Sequence, residues 1–292
     1  MPYISPRYLF LTILFALASV TITAQTVQEP PSGNHPEWSR PYPPFRIAGN
    51  LYYVGTYDLG SYLVTTPKGN ILINTGLAAS AAQMKSNIES LGFRFSDTKL
   101  LLTTQAHYDH LGAMAAIKKA TGAKVWVNAP DAPVMADGGS SDYAFGNGTP
   151  TFEPTKADSL LKDGDTIRLG GVQLVMLSHP GHTKGSCSYL LKTKEEKKSY
   201  TVLIANLPTI VIEKSFPEVV EYPSIARDYA NTFASLKSLR FDLWVASHAS
   251  QFGLHRKHKR GSKYNPAAFS DRAGFNKAVA DLQKQYEEHL KR

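Results

Sequence analysis

Cysteine is almost absent from this chain of 292 residues, in which Cys187 is the single example. One cysteine cannot form a disulfide within the chain. Its neighbours Ser186, Ser188 and Tyr189 predict a strand, so we interpret Cys187 as a small buried residue and not as a nucleophile. Charged residues make up 19% and hydrophobic residues 42% of the sequence, which is typical of a globular protein and argues against disorder.

Long apolar runs are missing after the first residues of the chain. Arg7 precedes an uncharged, largely apolar run that extends to Ala24. This pattern predicts a secretory signal peptide over residues 1–24, and an uncleaved membrane anchor is the alternative because about 20 apolar residues span a bilayer. With cleavage after Ala24 we expect a soluble, monomeric, periplasmic protein that has no stable association with the membrane.

Acidic residues are fewer than basic ones, 24 Asp and Glu against 32 Lys and Arg, so the formal net charge is +8. Much of the excess lies in the run HRKHKRGSK at 255–263. Such a run is able to bind nucleic acid, but export argues against that, and we expect no nucleic-acid partner. A solvated basic surface that attracts anionic substrates is the preferred interpretation.

Two similar series of strands and helices follow a Pro-rich start. Residues 25–45 are aperiodic, which predicts an extended N-terminal arm ahead of one domain over 46–292. In that domain the order of hairpin strands, helix and buried strand occurs twice, the second time from about Gly164 onward. We therefore predict the α/β class, with two βα halves that face each other as a sandwich of sheets with helices outside.

Individual elements follow from periodicity and turn residues. The predicted strands and helices of the first half are strands near 51–55, 61–66 and 70–74, a helix over 77–92, a buried strand over 99–104, a helix over 111–121 and a strand over 123–128. A long helix over 266–290 is predicted to close the chain. The irregular segment between the halves, residues 128–161, is rich in Gly, Pro and Asp, and we interpret it as a functional flap.

Five of the nine histidines follow the ends of predicted strands: His107, His110, His179, His182 and His248. Sites in α/β sheets collect where strands end and loops begin. A buried histidine is more often a hydrogen-bonded core residue, but three strand ends together with a packed His-x-Asp-His favour a metal site. Imidazole and carboxylate without thiolate favour zinc and leave iron and manganese as alternatives.

The motifs themselves resemble a known family. QAHYDH (105–110), GHTKGS (Gly181–Ser186) and SHA (Ser247–Ala249) are similar, in order and in interval, to the metal motifs of the metallo-β-lactamase superfamily. The resemblance extends from about Phe45 to the last helix and implies an αββα sandwich. It is greatest to the subclass B3 metallo-β-lactamases, in the branch where glutamine replaces the first metal histidine.

The resemblance implies one or two zinc ions per chain. It implies Gln105, His107 and His182 as ligands of the first zinc, and Asp109, His110 and His248 as ligands of the second. Asp109 would also be the catalytic residue that orients the attacking water. His179 is left outside the ligand set, because the motif is carried by Gly-His-Thr. Thr209 and the positive surface are candidates to receive a substrate carboxylate.

The substrate class rests on one position. Related thioesterases, lactonases and phosphodiesterases carry a metal-bridging Asp at the end of the strand YTVLIANLP, and subclass B1 enzymes carry Cys there, whereas this chain has Asn206 and Leu207. The resemblance therefore implies hydrolysis of β-lactams (penicillins, cephalosporins, carbapenems) by a metal-bound hydroxide. A hydrolase of another lactone or thioester, or a metal-binding module without activity, are the alternatives.

Several positions depart from the family's pattern. Asn74 stands where most relatives have Asp, Leu207 where many B3 enzymes have Ser, and the disulfide common near the B3 C-terminus cannot form. Four aromatic residues of the arm and the flap either cover the ligand or belong to the core: Trp38, Phe45, Tyr143 and Phe145.

Overall fold

The computed structural model describes residues 1–3, 26–30 and 34–292. The predicted signal peptide thus lies outside the described residues, apart from its first three positions, and the division into signal, arm and domain stays a prediction. Within the described part of the chain, every helix is too short or too polar to cross a membrane.

The first half of the chain forms a sheet of seven strands that lie in chain order. They are β1 (Phe45–Ala48), β2 (Leu51–Tyr53), β3 (Tyr62–Val64), β4 (Asn70–Ile73), β5 (Thr98–Leu102), β6 (Lys124–Asn128) and β7 (Ser159–Leu161). The pairs from β1 to β4 are antiparallel and those from β4 to β7 are parallel. The predicted hairpins are confirmed, whereas β1 and β7 were not predicted.

The second half forms a sheet of five strands in the order β12-β11-β10-β9-β8. They are β8 (Thr166–Leu169), β9 (Val172–Ser178), β10 (Cys187–Lys194), β11 (Ser199–Ala205) and β12 (Leu243–Ala246). Neighbours are antiparallel except β11 and β12, which are parallel because α5 connects them.

The helices lie between and after the strands of each half. They are α1 (Ser80–Ser90), α2 (Tyr108–Leu111), α3 (Met114–Thr121), α4 (Ala132–Ala136), α5 (Ile225–Ser238), α6 (Leu254–Lys257) and α7 (Arg272–His289). The helix predicted over roughly 111–121 is confirmed as α3, which begins three residues later at Met114, whereas the separate short helix α2 was not predicted. The predicted helix over 266–290 is a 3₁₀ turn (Pro266–Phe269) followed by α7, which Asp271 caps by accepting the Gly274 N–H.

Successive side chains of the central strands point to opposite faces of the sheet, and this alternation explains why the protein has two hydrophobic cores. On β3, Tyr62 and Val64 belong to the core between the sheets, and Leu63 belongs to a second core under the first-half helices. β5 repeats the pattern, since Leu100 and Leu102 face the other sheet and Leu101 faces the helices. Both faces of these strands are buried, and their sequences are therefore continuous apolar runs. The predicted αββα sandwich is confirmed.

The two sheets are joined where β5 ends and β10 begins. The Tyr189 hydroxyl, on a fully buried side chain, donates to Thr103 O at 2.8 Å, and the Cys187 N–H donates to Thr104 O at 2.8 Å. Cys187 is 1% exposed and burial raises the pKa of its thiol to about 12. The interpretation of Cys187 as a small buried residue is confirmed, and the raised pKa of its thiol argues against a role as a nucleophile.

We expect Tyr189→Phe to lower the free energy of unfolding by about 1 kcal/mol, because the buried Thr103 carbonyl keeps only the weak thiol donor of Cys187. Tyr52→Phe is the matched control: the Tyr52 ring packs on Phe93, and its hydroxyl makes no hydrogen bond to the described residues. Urea unfolding measures both variants against the parent. Equal midpoints for the two variants would contradict a stabilising role for the Tyr189 hydroxyl.

Candidate metal site

Three loops meet at one edge of the two sheets. They follow β5, β9 and β12, and they carry the three sequence motifs. The Thr104 and Ser247 hydroxyls lie 2.9 Å apart, and the Gly60 N–H donates to Ser247 O at 2.8 Å. A side chain on Gly60 would be blocked, because its Cβ would lie 2.6 Å from Ala246 O. These contacts between the two sheets therefore hold the loops with the predicted ligands close to one another.

Gln105, His107 and His182 form a first cluster of buried side chains. His107 Nδ1 lies 3.1 Å from His182 Nε2 and 3.4 Å from Gln105 Nε2. The other nitrogen of His182, Nδ1, lies 2.8 Å from Thr209 O and donates to it, so Nε2 keeps its lone pair on the side of His107. Burial lowers the pKa of His182 to about 3, and a neutral imidazole is the form that binds a metal.

Asp109, His110 and His248 form a second cluster, whose ligand atoms all lie within 4.8 Å of one another. Asp109 Oδ2 is 3.1 Å from His110 Nε2 and 3.4 Å from His248 Nε2. Burial alone would raise the pKa of Asp109, but the two imidazoles outweigh it and hold this pKa well below its usual range. The second cluster thus contains an ionised carboxylate between two histidines.

The chemistry of both clusters fits metal ions. The Nε2 of His110, which lies on the side of Asp109, is buried and makes no hydrogen bond within the described part of the chain. Such orphaned polar atoms are rare in proteins, and a bound cation is one way to satisfy them. Imidazole, carboxylate and amide donors without thiolate suit zinc. The Gln105 amide presents its oxygen to a cation after a half-turn about its last bond.

Sequence reasoning missed two carboxylates that lie behind the histidines. Asp58 Oδ2 is 3.0 Å from His248 Nδ1, and its Oδ1 accepts the Ser250 N–H at 2.8 Å. Asp142, in the flap, has Oδ2 3.5 Å from His107 Nε2. A signal for Asp58 was present, since it is the one charged residue between Arg46 and Lys68. Carboxylates of this kind fix the orientation of metal-binding histidines.

Asn74 supports the first motif even though it carries no charge. Its Oδ1 accepts from Thr104 N at 2.9 Å and from Thr104 Oγ1 at 3.1 Å, and its Nδ2 donates to Gly60 O at 3.3 Å. The backbone at Asn74 has φ of 61°, a left-handed conformation that Asn tolerates better than most residues. The neutral amide thus replaces the expected carboxylate as an acceptor but not as a charge.

Two further predicted residues lie beside the clusters. His179 is buried, with Nδ1 2.7 Å from Ser188 Oγ and Nε2 3.1 Å from Ser235 Oγ. Both of its nitrogens are thus engaged with hydroxyls, which agrees with a place outside the ligand set. The Thr209 hydroxyl lies 2.9 Å from His182 Nδ1, so Thr209 contacts a predicted ligand, and its role toward substrate stays a prediction.

The four aromatic residues of the arm and the flap separate into two groups. The Trp38 ring centroid lies 5.7 Å from that of His248, and the Phe145 centroid lies 4.8 Å from that of His107. Phe45 belongs to the core between the sheets, and the Tyr143 hydroxyl donates to Gly181 O at 2.8 Å. Trp38 and Phe145 are therefore the two that border the clusters.

Curated relatives share part of the chain. Residues 61–194 match the family described as the metallo-beta-lactamase superfamily. A probable metallo-hydrolase of Burkholderia pseudomallei is 31% identical over 118 residues, which cover 39% of this chain and 37% of the relative. A hydroxyacylglutathione hydrolase of Jannaschia is 29% identical over 109 residues, 37% of this chain and 34% of the relative. The chain thus spans little more than a third of the length of these relatives.

Solved structures match over nearly the whole chain. The class B3 di-zinc metallo-beta-lactamase LRA-12 from an Alaskan soil metagenome is 65% identical with a TM-score of 0.89, covering 90% of this chain and 100% of that one. GOB-18 from Elizabethkingia meningoseptica, a metallo-beta-lactamase, is 54% identical with a TM-score of 0.90, covering 92% and 99%. At such identity and coverage the chain belongs to the metallo-β-lactamase superfamily, with class B3 enzymes among its close structural relatives.

Proposed function

We propose that the protein is a zinc-dependent hydrolase that opens the β-lactam ring of penicillins, cephalosporins and carbapenems. The observation that carries this proposal is the convergence of six predicted ligands into two adjacent clusters at one edge of the sandwich. Similar chains that are described as metallo-β-lactamases, one of them di-zinc, support it. The relatives' names do not give the preferred antibiotic.

The two clusters would each hold one zinc ion. Gln105, His107 and His182 would bind the first, and Asp109, His110 and His248 the second. Zinc, when bound, supplies Lewis acidity that lowers the pKa of water toward neutrality and polarises a carbonyl group.

The chain's own residues orient the reaction. The Asp109 carboxylate is ionised and buried, so one of its oxygens can accept a hydrogen bond from a water molecule and orient it. Thr209 fixes the His182 ring through Nδ1, and Asp58 fixes the His248 ring through Nδ1. Trp38 and Phe145 place aromatic rings beside the two clusters, where they can contact a bound substrate. Cys187 is too buried to take part as a nucleophile.

A thioester hydrolase is the second candidate, because several curated relatives are hydroxyacylglutathione hydrolases. Asn206 argues against it. Its amide donates to Thr104 O at 3.3 Å and accepts from Ser247 Oγ at 3.3 Å, and it offers no carboxylate to bridge two ions. A metal-binding module without activity is the third candidate, and the complete ligand set argues against it.

We expect the purified protein to hydrolyse β-lactams only when metal is bound, since the side chains that converge at the site are of the kind that bind metal and Cys187 is buried. Nitrocefin, a penicillin and a carbapenem are assayed beside S-lactoylglutathione and an acyl-homoserine lactone, with zinc content measured on the same sample. Chelation should abolish β-lactam hydrolysis, and added zinc should restore it. Full activity in metal-free protein would refute the metal mechanism. Turnover of the thioester or the lactone alone would refute the proposed substrate class.

Gln105→His should tighten zinc binding at the first cluster, because imidazole is a better zinc ligand than an amide and position 105 already faces His107. Gln285→His, on the exposed face of α7, adds a histidine elsewhere and serves as the matched control. Competition with a chromophoric chelator gives the affinity for each ion. If Gln105→His binds zinc as the parent does, Gln105 does not contact the first ion.

We also propose that the protein is exported and protects its cell from β-lactam antibiotics. Arg7, the apolar run behind it and the small residues before Gln25 support export. Mass spectrometry of the exported protein should give an N-terminus at Gln25. Recovery of the full-length chain from the membrane fraction would favour the uncleaved anchor.

A further inference from the structure

Asp131 is a buried carboxylate with an unusual environment. It is 1% exposed, it lies in the flap directly after β6, and it forms no ion pair with the described residues. Burial raises its pKa to about 6, against the opposing effect of its hydrogen bonds. A carboxylate in such a place is costly unless several donors converge on it.

Three donors do converge on Asp131, and they come from two loops. Oδ2 accepts the Ala106 N–H at 2.9 Å and the Thr183 hydroxyl at 2.8 Å, and Oδ1 accepts the Gly185 N–H at 2.7 Å. Ala106 stands between Gln105 and His107, and Thr183 follows His182. One carboxylate therefore joins the two loops that supply the first cluster. In each loop one of the donors, Ala106 or Thr183, is the neighbour in sequence of a predicted ligand.

The second motif is shaped around this carboxylate. A Cβ on Gly185 would lie 2.5 Å from Asp131 N and 2.6 Å from Asp131 Cγ, so only glycine permits the close approach. The Ser186 hydroxyl lies 2.8 Å from the Thr183 hydroxyl and accepts the Thr183 N–H at 2.7 Å. Thr183 and Gly185 thus donate to Asp131, and Ser186 holds Thr183 in place. His182 of the same motif faces His107.

The second cluster is supported by a different carboxylate. Asp58 contacts His248 and the backbone of Ser250, and within the described part of the chain it makes no hydrogen bond or ion pair with the loops that carry Gln105 or His182. Asp131 makes no hydrogen bond or ion pair with the second cluster in the described part of the chain. The carboxylates outside the motifs therefore differ between the clusters: Asp58 supports the second, whereas Asp131 joins the two loops of the first and Asp142 contacts its His107.

We propose that Asp131 is a positioning residue for the first zinc, which holds the Gln105–His107 loop and the His182 loop at the separation that one ion requires. The inference rests on the proposed zinc site. Because the neutral amide of Gln105 contributes less to binding than an imidazole does, the first cluster depends more on a fixed arrangement of its donors.

Asp131→Asn tests this with little change of shape. Asparagine has one accepting oxygen, so its NH₂ group would face one of the three donors. Asp58→Asn is the matched variant, because it removes a carboxylate behind the second cluster. Metal-free protein labelled with ¹⁵N-histidine is titrated with zinc, and the ring nitrogens of each histidine report binding at their own cluster.

We expect Asp131→Asn to weaken zinc binding at His107 and His182 about 10- to 100-fold, and to leave binding at His110 and His248 unchanged. Asp58→Asn should show the reverse pattern. Equal weakening of both clusters by Asp131→Asn would reduce Asp131 to a general structural role and overturn the proposal. Unchanged binding at the first cluster would overturn it as well.

The parent protein separates this inference from the proposed function. If the parent binds zinc at neither cluster, the proposed function fails. If it binds two ions and Asp131→Asn behaves like the parent, only the role of Asp131 fails. Should Asp131→Asn not fold, Thr183→Val removes one of the three donors and keeps the side-chain shape. It should weaken the first ion selectively by a smaller factor, and parental affinity in Thr183→Val would contradict the proposal.

Discussion

Thr104, the last residue before the first metal motif, is hydrogen-bonded to the ends of four other strands. Its N–H and hydroxyl donate to Asn74 after β4, and its carbonyl accepts from Cys187 on β10 and Asn206 after β11. Its hydroxyl also lies 2.9 Å from that of Ser247 after β12. Thr104 is fully buried, so each of these bonds is shielded from water. The position of both clusters depends on this set, because the ligands lie within a few residues of the bonded atoms.

The sequence predicts the sandwich and the convergence of the three motif loops well, because both rest on local signals. Alternation and apolar runs mark the strands, and histidines packed after strand ends mark the site. The contacts of Asp58 and Asp131 were missed for a different reason. Asp58 meets His248 across 190 residues of sequence, and Asp131 meets Thr183 across 52. The isolated charge of Asp58 marks the residue, but the sequence near either Asp does not identify the partner that it contacts. The break between α2 and α3 was missed because apolar periodicity continues through it.

Charge is distributed unequally around the two clusters. The second contains the carboxylate of Asp109, whereas the proposed ligands of the first are an amide and two imidazoles, which bind a metal as neutral donors. Negative charge near the first cluster comes from Asp131 and Asp142, which lie behind the ligands. A divalent ion held by neutral donors keeps more of its charge uncompensated and is a stronger Lewis acid, although it binds more weakly. Carboxylates that contact the ligands or their loops, and not the ion itself, fix such donors without neutralising the ion directly. The flap, which supplies both carboxylates, is thus part of the first site's architecture.

The pairing of β11 with β12 has a consequence for synthesis and folding. β12 carries His248 at its end and is added to the sheet after the long α5 crossover, a parallel contact of high sequence separation that forms slowly. A growing chain therefore completes its second cluster only after nearly all of its length has been made. Metal that binds the finished cluster stabilises only chains that have brought both halves together. Zinc would in this way stabilise only fully assembled molecules, and chains in which β12 has not yet paired with β11 would gain nothing from the second ion.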